Sequence, residues 1–268
     1  MTISNKQTQE NINKIWGKKR ETERELSPRE VFRGRIFPTA YPVIKKYIPK
    51  KFEHLLDAGA GTGKYGLKLA QDFPESSVTI SDILDEYLFI PRNIAAEMGI
   101  NNVRFKQDDI LASVFPDDHF DVVFSDLLIQ HLPDHQKALQ EMRRITKPDG
   151  RIMIAVVNFW NFHTLYKGLL ALTGKEYEYG YEKSFSKREL KEAMEKEGIQ
   201  VIATDGFEVG YGIFRLRTHH KIFSFLGSFV NRLSKILDKY TNRFFSRNFG
   251  FQIVMVGQKS VKCPADVS

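Results

Sequence analysis

The run Asp57-Ala-Gly-Ala-Gly-Thr-Gly63 constrains the chain more than any other stretch. It follows a short apolar ramp over 52–56 and leads into 65–70, which reads as a helix. An acid, then glycines at every second position, on a strand-to-helix turn makes a seat for an extended ligand. Glycines let the backbone turn sharply and approach that ligand with no Cβ in the way. The helix that follows turns its free N–H groups toward the same spot.

After this turn, strand and helix patterns alternate. The residues predict strands over 52–58, 78–81, 103–106, 120–125, 152–157, 200–203 and 251–256. Helices are expected over 64–71, over 86–98 with Gly99 as its stop, over 135–146, and from the Ser186 capping box to Lys196. Lys147-Pro-Asp-Gly150 reads as a turn. Strands separated by helices pair in parallel through right-handed crossovers, so an α/β sheet is expected, as one domain with decorations rather than two domains. The division expected is a helical or loose cap over 1–50, a main domain over 51–258 with helical insertions at 159–198 and 207–248, and a tail over 259–268. Within the cap, 1–30 is polar and aperiodic, which suits a loose segment or a single exposed helix.

Composition sets outer bounds. At 268 residues, 42% hydrophobic and 27% charged, the chain can bury a sizeable core. Cys263 is the only cysteine, which excludes an internal disulfide and an all-cysteine metal site. No secretory pattern opens the chain and no 18-residue apolar run occurs, so a cytoplasmic protein is expected. The net charge of +7 is unevenly placed: residues 1–50 hold 12 Lys/Arg against 5 Asp/Glu, and 214–248 hold 8 against 1. Basic flanks on an acidic body suit either an anionic partner or plain solvated charge.

Three ligands compete for the turn. Gly61-Thr-Gly-Lys-Tyr-Gly66 fits the dinucleotide pattern, with Asp82 at a ribose-contact distance. A P-loop fails, because Ala58 stands where its first glycine belongs and Tyr65 replaces Ser/Thr. The third candidate is a methyl donor of the adenosyl-methionine type, whose turn carries the acid at the strand end. Ligands in such sheets sit beyond the carboxyl ends of the strands, and these ends carry Asp57, Asp82, Asp108-Asp109 and Ser125-Asp126. Clustered acids would repel a pyrophosphate but suit a sulfonium, an ammonium and the paired hydroxyls of a ribose.

On these residues the chain resembles the class I S-adenosylmethionine-dependent methyltransferases, in particular the small-molecule group. The resemblance rests on Asp57-Ala-Gly-Ala-Gly-Thr-Gly63, Thr79-Ile-Ser-Asp82, Phe105-Lys-Gln-Asp-Asp109, Phe120-Asp-Val-Val-Phe-Ser125, Gln130-His-Leu-Pro133 and Lys147-Pro-Asp-Gly150, in order. It covers roughly 50–205 and the closing strand. It implies a Rossmann-like, seven-stranded, mostly parallel sheet of order 3-2-1-4-5-7-6 with the last strand antiparallel and helices on both faces. It also implies S-adenosylmethionine as cofactor. Asp57, Gly59, Gly61 and Gly63 would line its methionine end; Asp82 would hold the ribose, with Ile83 on one adenine face. Asp109 would accept from the adenine amine, with Ile110 on the other face, and Ser125 would meet the amino group through its backbone. Asp108 or Asp85 could exchange roles with a neighbour. Asp149 departs from the family's usual glycine at a position remote from the chemistry.

A hydroxyl acceptor needs a base, and histidine suits neutral pH. His131, beyond the fourth strand, and His163, beyond the fifth, are the catalytic candidates; packing or helix entry is the plainer role for each. The aromatics Tyr177, Tyr179, Tyr181, Phe159 and Trp160 wall an acceptor pocket or pack an insertion. The expected reaction is methyl transfer to a small-molecule or lipid-like acceptor at oxygen. The alternatives are an RNA methyltransferase, which the basic flanks favour, and a scaffold that binds the donor without turnover. Against RNA, Ser125-Asp-Leu-Leu128 lacks the Pro-Pro motif of exocyclic-amine methylases, and Cys263 lies past the last strand. The segment 221–247 reads as one basic amphipathic helix, which offers peripheral contact with an anionic membrane or packs on its own sheet or on a twin subunit.

Overall fold

The structure is a computed structural model that describes residues 5–23, 26–174, 177–216 and 221–260. Cys263 lies outside the described residues, as does most of the tail. Seven strands form one sheet: β1 (His54–Ala58), β2 (Ser77–Asp82), β3 (Val103–Gln107), β4 (Phe120–Asp126), β5 (Thr146–Val157), β6 (Ile199–Phe207) and β7 (Gln252–Lys259). Their order is 3-2-1-4-5-7-6, and β7 runs antiparallel to both β5 and β6. The arrangement is the sheet that the alternating pattern and the family resemblance imply.

The strands are apolar on both faces because helices cover both. On one side α2 (Pro28–Arg33), α3 (Phe37–Lys45), α4 (Lys64–Asp72) and α5 (Phe89–Met98) bury Val31, Ile44, Leu67 and Ile94 against Leu55, Ile80 and Phe124. On the other, α6 (His135–Ile145) and α8 (Lys187–Lys196) bury Leu139, Met142, Leu190 and Met194 against Leu56, Val123 and Ile154. Full burial of each such side chain contributes about 1.5–3 kcal/mol. Register brings the functional strand ends together: Asp57 on β1 stands opposite Ile80 of β2 and Phe124 of β4.

Three local expectations change. The N-terminal stretch forms α1 (Asn5–Thr22), and it is not a detached helix: Ile12 is buried. The helix comes close to the body at Gly17, where a Cβ would sit 2.6 Å from the hydroxyl of Tyr87. Few apolar positions serve this contact, so no periodic stripe announces it. The Lys147–Gly150 turn lies inside the span of β5, which pairs through Thr146 opposite Phe120 and resumes at Arg151 opposite Val122. Asp149 takes a left-handed φ of 60° there.

The third change concerns 221–247, which is two helices rather than one. After α7 (Phe162–Leu172) and α9 (Tyr211–Arg215), α10 (Ile222–Asp238) ends and α11 (Phe244–Phe249) begins. The break falls at Asn242 and Arg243, with φ of 46° and 60°. It is held from both sides: the Asp238 carboxylate accepts from the N–H of Phe245 at 2.8 Å, and Arg243 Nε donates to Asp205 Oδ1 at 2.8 Å. Arg243 is thus tied to the body and does not extend an outward basic row.

Candidate active site

The carboxyl ends of β1, β2 and β4, together with the segment after β3, surround a cavity of about 260 Å³, which α1 covers. Asp57, Gly59, Asp82, Ile83, Asp109, Ile110 and His131 line it, with Asp108, Asp126, Tyr65 and, from α1, Ile12 and Trp16. Gly61 and Gly63 stand just behind this wall. The Gly61 N–H donates to Asp82 Oδ2 at 3.0 Å, and Gly63 begins α4 at a left-handed φ of 67°. A Cβ on Gly63 would meet Pro91 at 2.5 Å, so both backbone conformation and space require glycine there.

The Ser125 side chain does not line the cavity. Its side chain is buried inside the sheet and its hydroxyl has no hydrogen-bond partner, whereas the next residue, Asp126, is on the wall. Alternation along the strand turns the two side chains to opposite faces. Asp85 is also elsewhere, paired with Arg92 at 2.6 Å on the surface. Asp108 is occupied by its own turn, accepting from Val114 N–H and Ser113 Oγ, while Asp109 accepts from Leu111 N–H.

The acids differ in electrostatic state. Burial pushes Asp57 up to about 7, against the hydrogen bond it accepts from the Gly66 N–H at 2.8 Å. Burial also raises Asp126, against Lys64 and the hydrogen bond from Gln252 Nε2 at 2.7 Å. Beside them, Tyr65 stays a phenol well above its usual range, and its buried hydroxyl has no hydrogen-bond partner. Desolvated carboxylates and an unpaired hydroxyl on one wall fit a cationic ligand that carries hydrogen-bonding groups. A phosphate-bearing ligand would deepen the repulsion.

A second polar cluster adjoins the cavity. His131 Nδ1 donates to the carbonyl oxygen of Tyr181 at 2.8 Å, so in the neutral ring Nε2 is the basic nitrogen. Nε2 lies 3.7 Å from Glu182 Oε2. Glu182 Oε1 accepts from Lys167 Nζ at 2.9 Å and lies 3.3 Å from His163 Nε2, which is also 3.0 Å from the Tyr177 hydroxyl. Gln130 Nε2 donates to Glu182 Oε2. Burial drives Glu182 upward, but the His163 hydrogen bond and Lys167 outweigh it and hold its carboxyl at about 2. Both histidines titrate below their ordinary value because they are buried, with Glu182 opposing. The cluster therefore holds one carboxylate, one ammonium and two neutral imidazoles at neutral pH.

His131 and His163, 32 positions apart, thus meet on one carboxylate, but only His131 lines the cavity. The aromatic run divides its tasks. Tyr177 joins the cluster, Tyr179 stacks on Trp16 at 5.5 Å, and Tyr181 orients His131 through its backbone. Trp16 meets the His131 ring edge-on at 5.1 Å. Phe159 and Trp160 instead face solvent. Glu182, Lys167 and Trp16 carry no local motif and are apparent only once the chain is folded.

Comparison with known proteins agrees with this geometry. Residues 49–203 match the family described as a methyltransferase domain. The uncharacterized methyltransferase YcgJ of Bacillus subtilis is 34% identical over 103 residues, 38% of this chain and 40% of that protein. The ubiquinone/menaquinone biosynthesis C-methyltransferase UbiE of Psychromonas ingrahamii is 30% identical over 146 residues, 48% of this chain and 58% of that one. The chain thus spans about half the length of these curated relatives. Among solved structures, a phosphoethanolamine N-methyltransferase 2 of Haemonchus contortus in complex with S-adenosylhomocysteine aligns with TM-score 0.57 at 18% identity, over 82% of this chain and 52% of that one. With the glycine turn, the acid-lined cavity and the sheet order in place, the chain belongs to the class I S-adenosylmethionine-dependent methyltransferase family.

Proposed function

We propose that this chain transfers a methyl group from S-adenosylmethionine to a lipid-like acceptor bearing a hydroxyl group, at oxygen. The observation that carries the reading is His131: a neutral imidazole on the cavity wall, its Nδ1 committed to the Tyr181 carbonyl. The cofactor supplies an electrophilic methyl on a sulfonium. Asp57, Asp82, Asp109 and Asp126 would hold it, their charges matching its cationic end and their oxygens accepting from its hydroxyl and amino groups. Displacement at a methyl group needs alignment more than assistance, so the acceptor's proton is the main task left to the protein. His131 takes that proton, and the Glu182 carboxylate beside it stabilises the imidazolium that results.

Trp16 beside His131, with Tyr179 stacked on it and Ile12 and Leu128 on the cavity, favours an apolar acceptor body over a strongly hydrated one. The names of the relatives support a second regiochemistry: several are C-methyltransferases of ubiquinone/menaquinone biosynthesis. Removing a phenolic proton enriches the adjacent ring carbons as well as the oxygen, so the same base serves both outcomes.

Incubation of the protein with methyl-labelled donor and a total extract separated into lipid, water-soluble and RNA fractions tests the reading. Label in an organic-soluble product is the result expected. Label in RNA alone would transfer the assignment to the RNA reading, and donor binding with no label in any fraction would favour a scaffold.

A further inference from the structure

Helix α10 docks by its polar edge and shows its apolar side to solvent. Its buried residues are Gly227, Asn231, Ser234 and Asp238, spaced 4, 3 and 4 apart on one stripe. Three of them make docking contacts, while Ser234 donates back to the Asn231 carbonyl oxygen of the same helix. Gly227 packs against Gly210 so closely that a Cβ on Gly210 would lie 2.1 Å from the Gly227 carbonyl oxygen. Asn231 accepts from the Gly210 N–H at 2.6 Å and donates to Glu208, and Asp238 starts α11. The opposite stripe carries Phe225, Phe229, Leu233 and Ile236, between 43% and 73% exposed, and Tyr240 just past the end of the helix is 84% exposed. Helix α9 packs against both α10 and α7, and α7 also exposes Leu165, Leu169 and Leu172. Apolar rows of this kind on a water-exposed helix mark a contact surface.

Charge says which. Lys221, Arg232, Lys235 and Lys239 fall along one edge of the exposed stripe by helical spacing, and all four are exposed. Residues 209–251 contain a single acid, Asp238, and its carboxylate is buried and turned to α11. A second copy would oppose cations to cations, and a nucleic acid would leave the apolar row wet. Lys235 lies 3.8 Å from the Glu208 carboxylate, which leaves Lys221, Arg232 and Lys239 as the outward cations. An aromatic and aliphatic row flanked by such an edge matches a helix lying in the interface of an anionic bilayer. Among the described residues no helix is long and apolar enough to cross a membrane.

We propose that α10 is an in-plane membrane anchor, seating its apolar stripe among acyl chains with its basic edge at anionic headgroups. The proposal goes beyond the methyl-transfer reading and needs neither the donor nor any acceptor. Flotation of the full chain, without methyl donor, on phosphatidylcholine vesicles with and without phosphatidylglycerol is the test. Binding that requires the anionic lipid and weakens with salt is expected. The exposed double variant Arg232→Gln/Lys239→Gln should bind about thirtyfold more weakly. Phe225→Ser/Phe229→Ser should lose vesicle binding while retaining its circular dichroism spectrum, since neither ring is buried. Absence of vesicle binding at low salt overturns the proposal, as does a stable dimer in sedimentation that both aromatic substitutions dissociate.

Discussion

The Nδ1 of His131 donates to the carbonyl oxygen of Tyr181 at 2.8 Å, across 50 positions of sequence. That hydrogen bond selects the tautomer: with Nδ1 protonated, the basic lone pair is on Nε2, beside Glu182. The segment after α7 thus decides which nitrogen of a residue beyond β4 can accept a proton. For a base acting on a hydroxyl acceptor, His131→Asn should lower kcat by about 10²–10⁴-fold. Calorimetric affinity for the donor should stay near that of the parent, because the carboxylates that would hold it are untouched. A kcat within twofold of the parent's, at roughly RT ln 2 in barrier, would reduce His131 to packing.

Glu182 acts on His131 through charge, and its neutralisation has a readable sign. Burial lowers the His131 pKa and the Glu182 carboxylate opposes that fall. In Glu182→Gln the opposition is gone, so the ascending limb of the pH–rate profile should move to lower pH while the plateau rate drops. A merely structural Glu182 would reduce the amount of folded protein without moving that limb.

The same substitution leaves Lys167 with no carboxylate in a largely buried site. Breaking one partner of such a pair costs on the order of 3–5 kcal/mol. Lys167→Met combined with Glu182→Gln should therefore cost less than the two single losses added together, read from denaturant midpoints in a double-mutant cycle.

Asp57 links proton and ligand binding. Its folded value, pushed up to about 7, lies above the ordinary carboxylate value, so between about pH 4 and 7 the unfolded chain releases this proton before the folded one does. Its contribution to the stability of the ligand-free protein is therefore full below that window and is lost as pH rises through it. A cationic donor reverses the preference, since it favours the ionised carboxylate. Donor affinity should rise from pH 6 to pH 8 with proton release, measured by calorimetry in buffers of different ionisation enthalpy. Asp57→Asn should bind weakly at both pH values and show no such release.

Gly63 begins α4 in the left-handed region with no space for a side chain. Gly63→Ala should destabilise by about 1–2 kcal/mol from backbone conformation alone, and more from contact with Pro91. The accompanying shift of α4 should move Tyr65 and lower donor affinity, whereas Gly99→Ala, left-handed but with open space around it, should cost stability and spare the site.

The sequence by itself was enough for the strands and their parallel alternation, because that evidence is local and repeated; the strand order and the antiparallel β7 came from the family resemblance. Apolar β-branched runs such as Phe120–Ser125, the glycine turn and the Ser186 capping box each constrain a few neighbouring residues, and parallel pairing follows from their alternation. The acids at the strand ends were legible for the same reason: the turn after each strand places whatever residue ends it at one edge of the sheet. Tertiary structure decided the rest. Ser125 and Asp126 are adjacent in sequence, and only strand register shows that the side chain of the second, not that of the first, lines the cavity. Glu182 lies in a segment with no motif, and it gains meaning from three residues 15 to 52 positions away that the fold brings onto its oxygens. Segment 221–247 had the composition of one amphipathic helix, yet which face turns outward was not in its periodicity. Gly227, Asn231 and Asp238 find close backbone and hydrogen-bonding partners on Gly210, Glu208 and α11, so the polar edge docks and the apolar stripe is left to solvent. Hydrophobic pattern specifies that a face must be covered; only the positions of distant partners determine which face the body itself can cover.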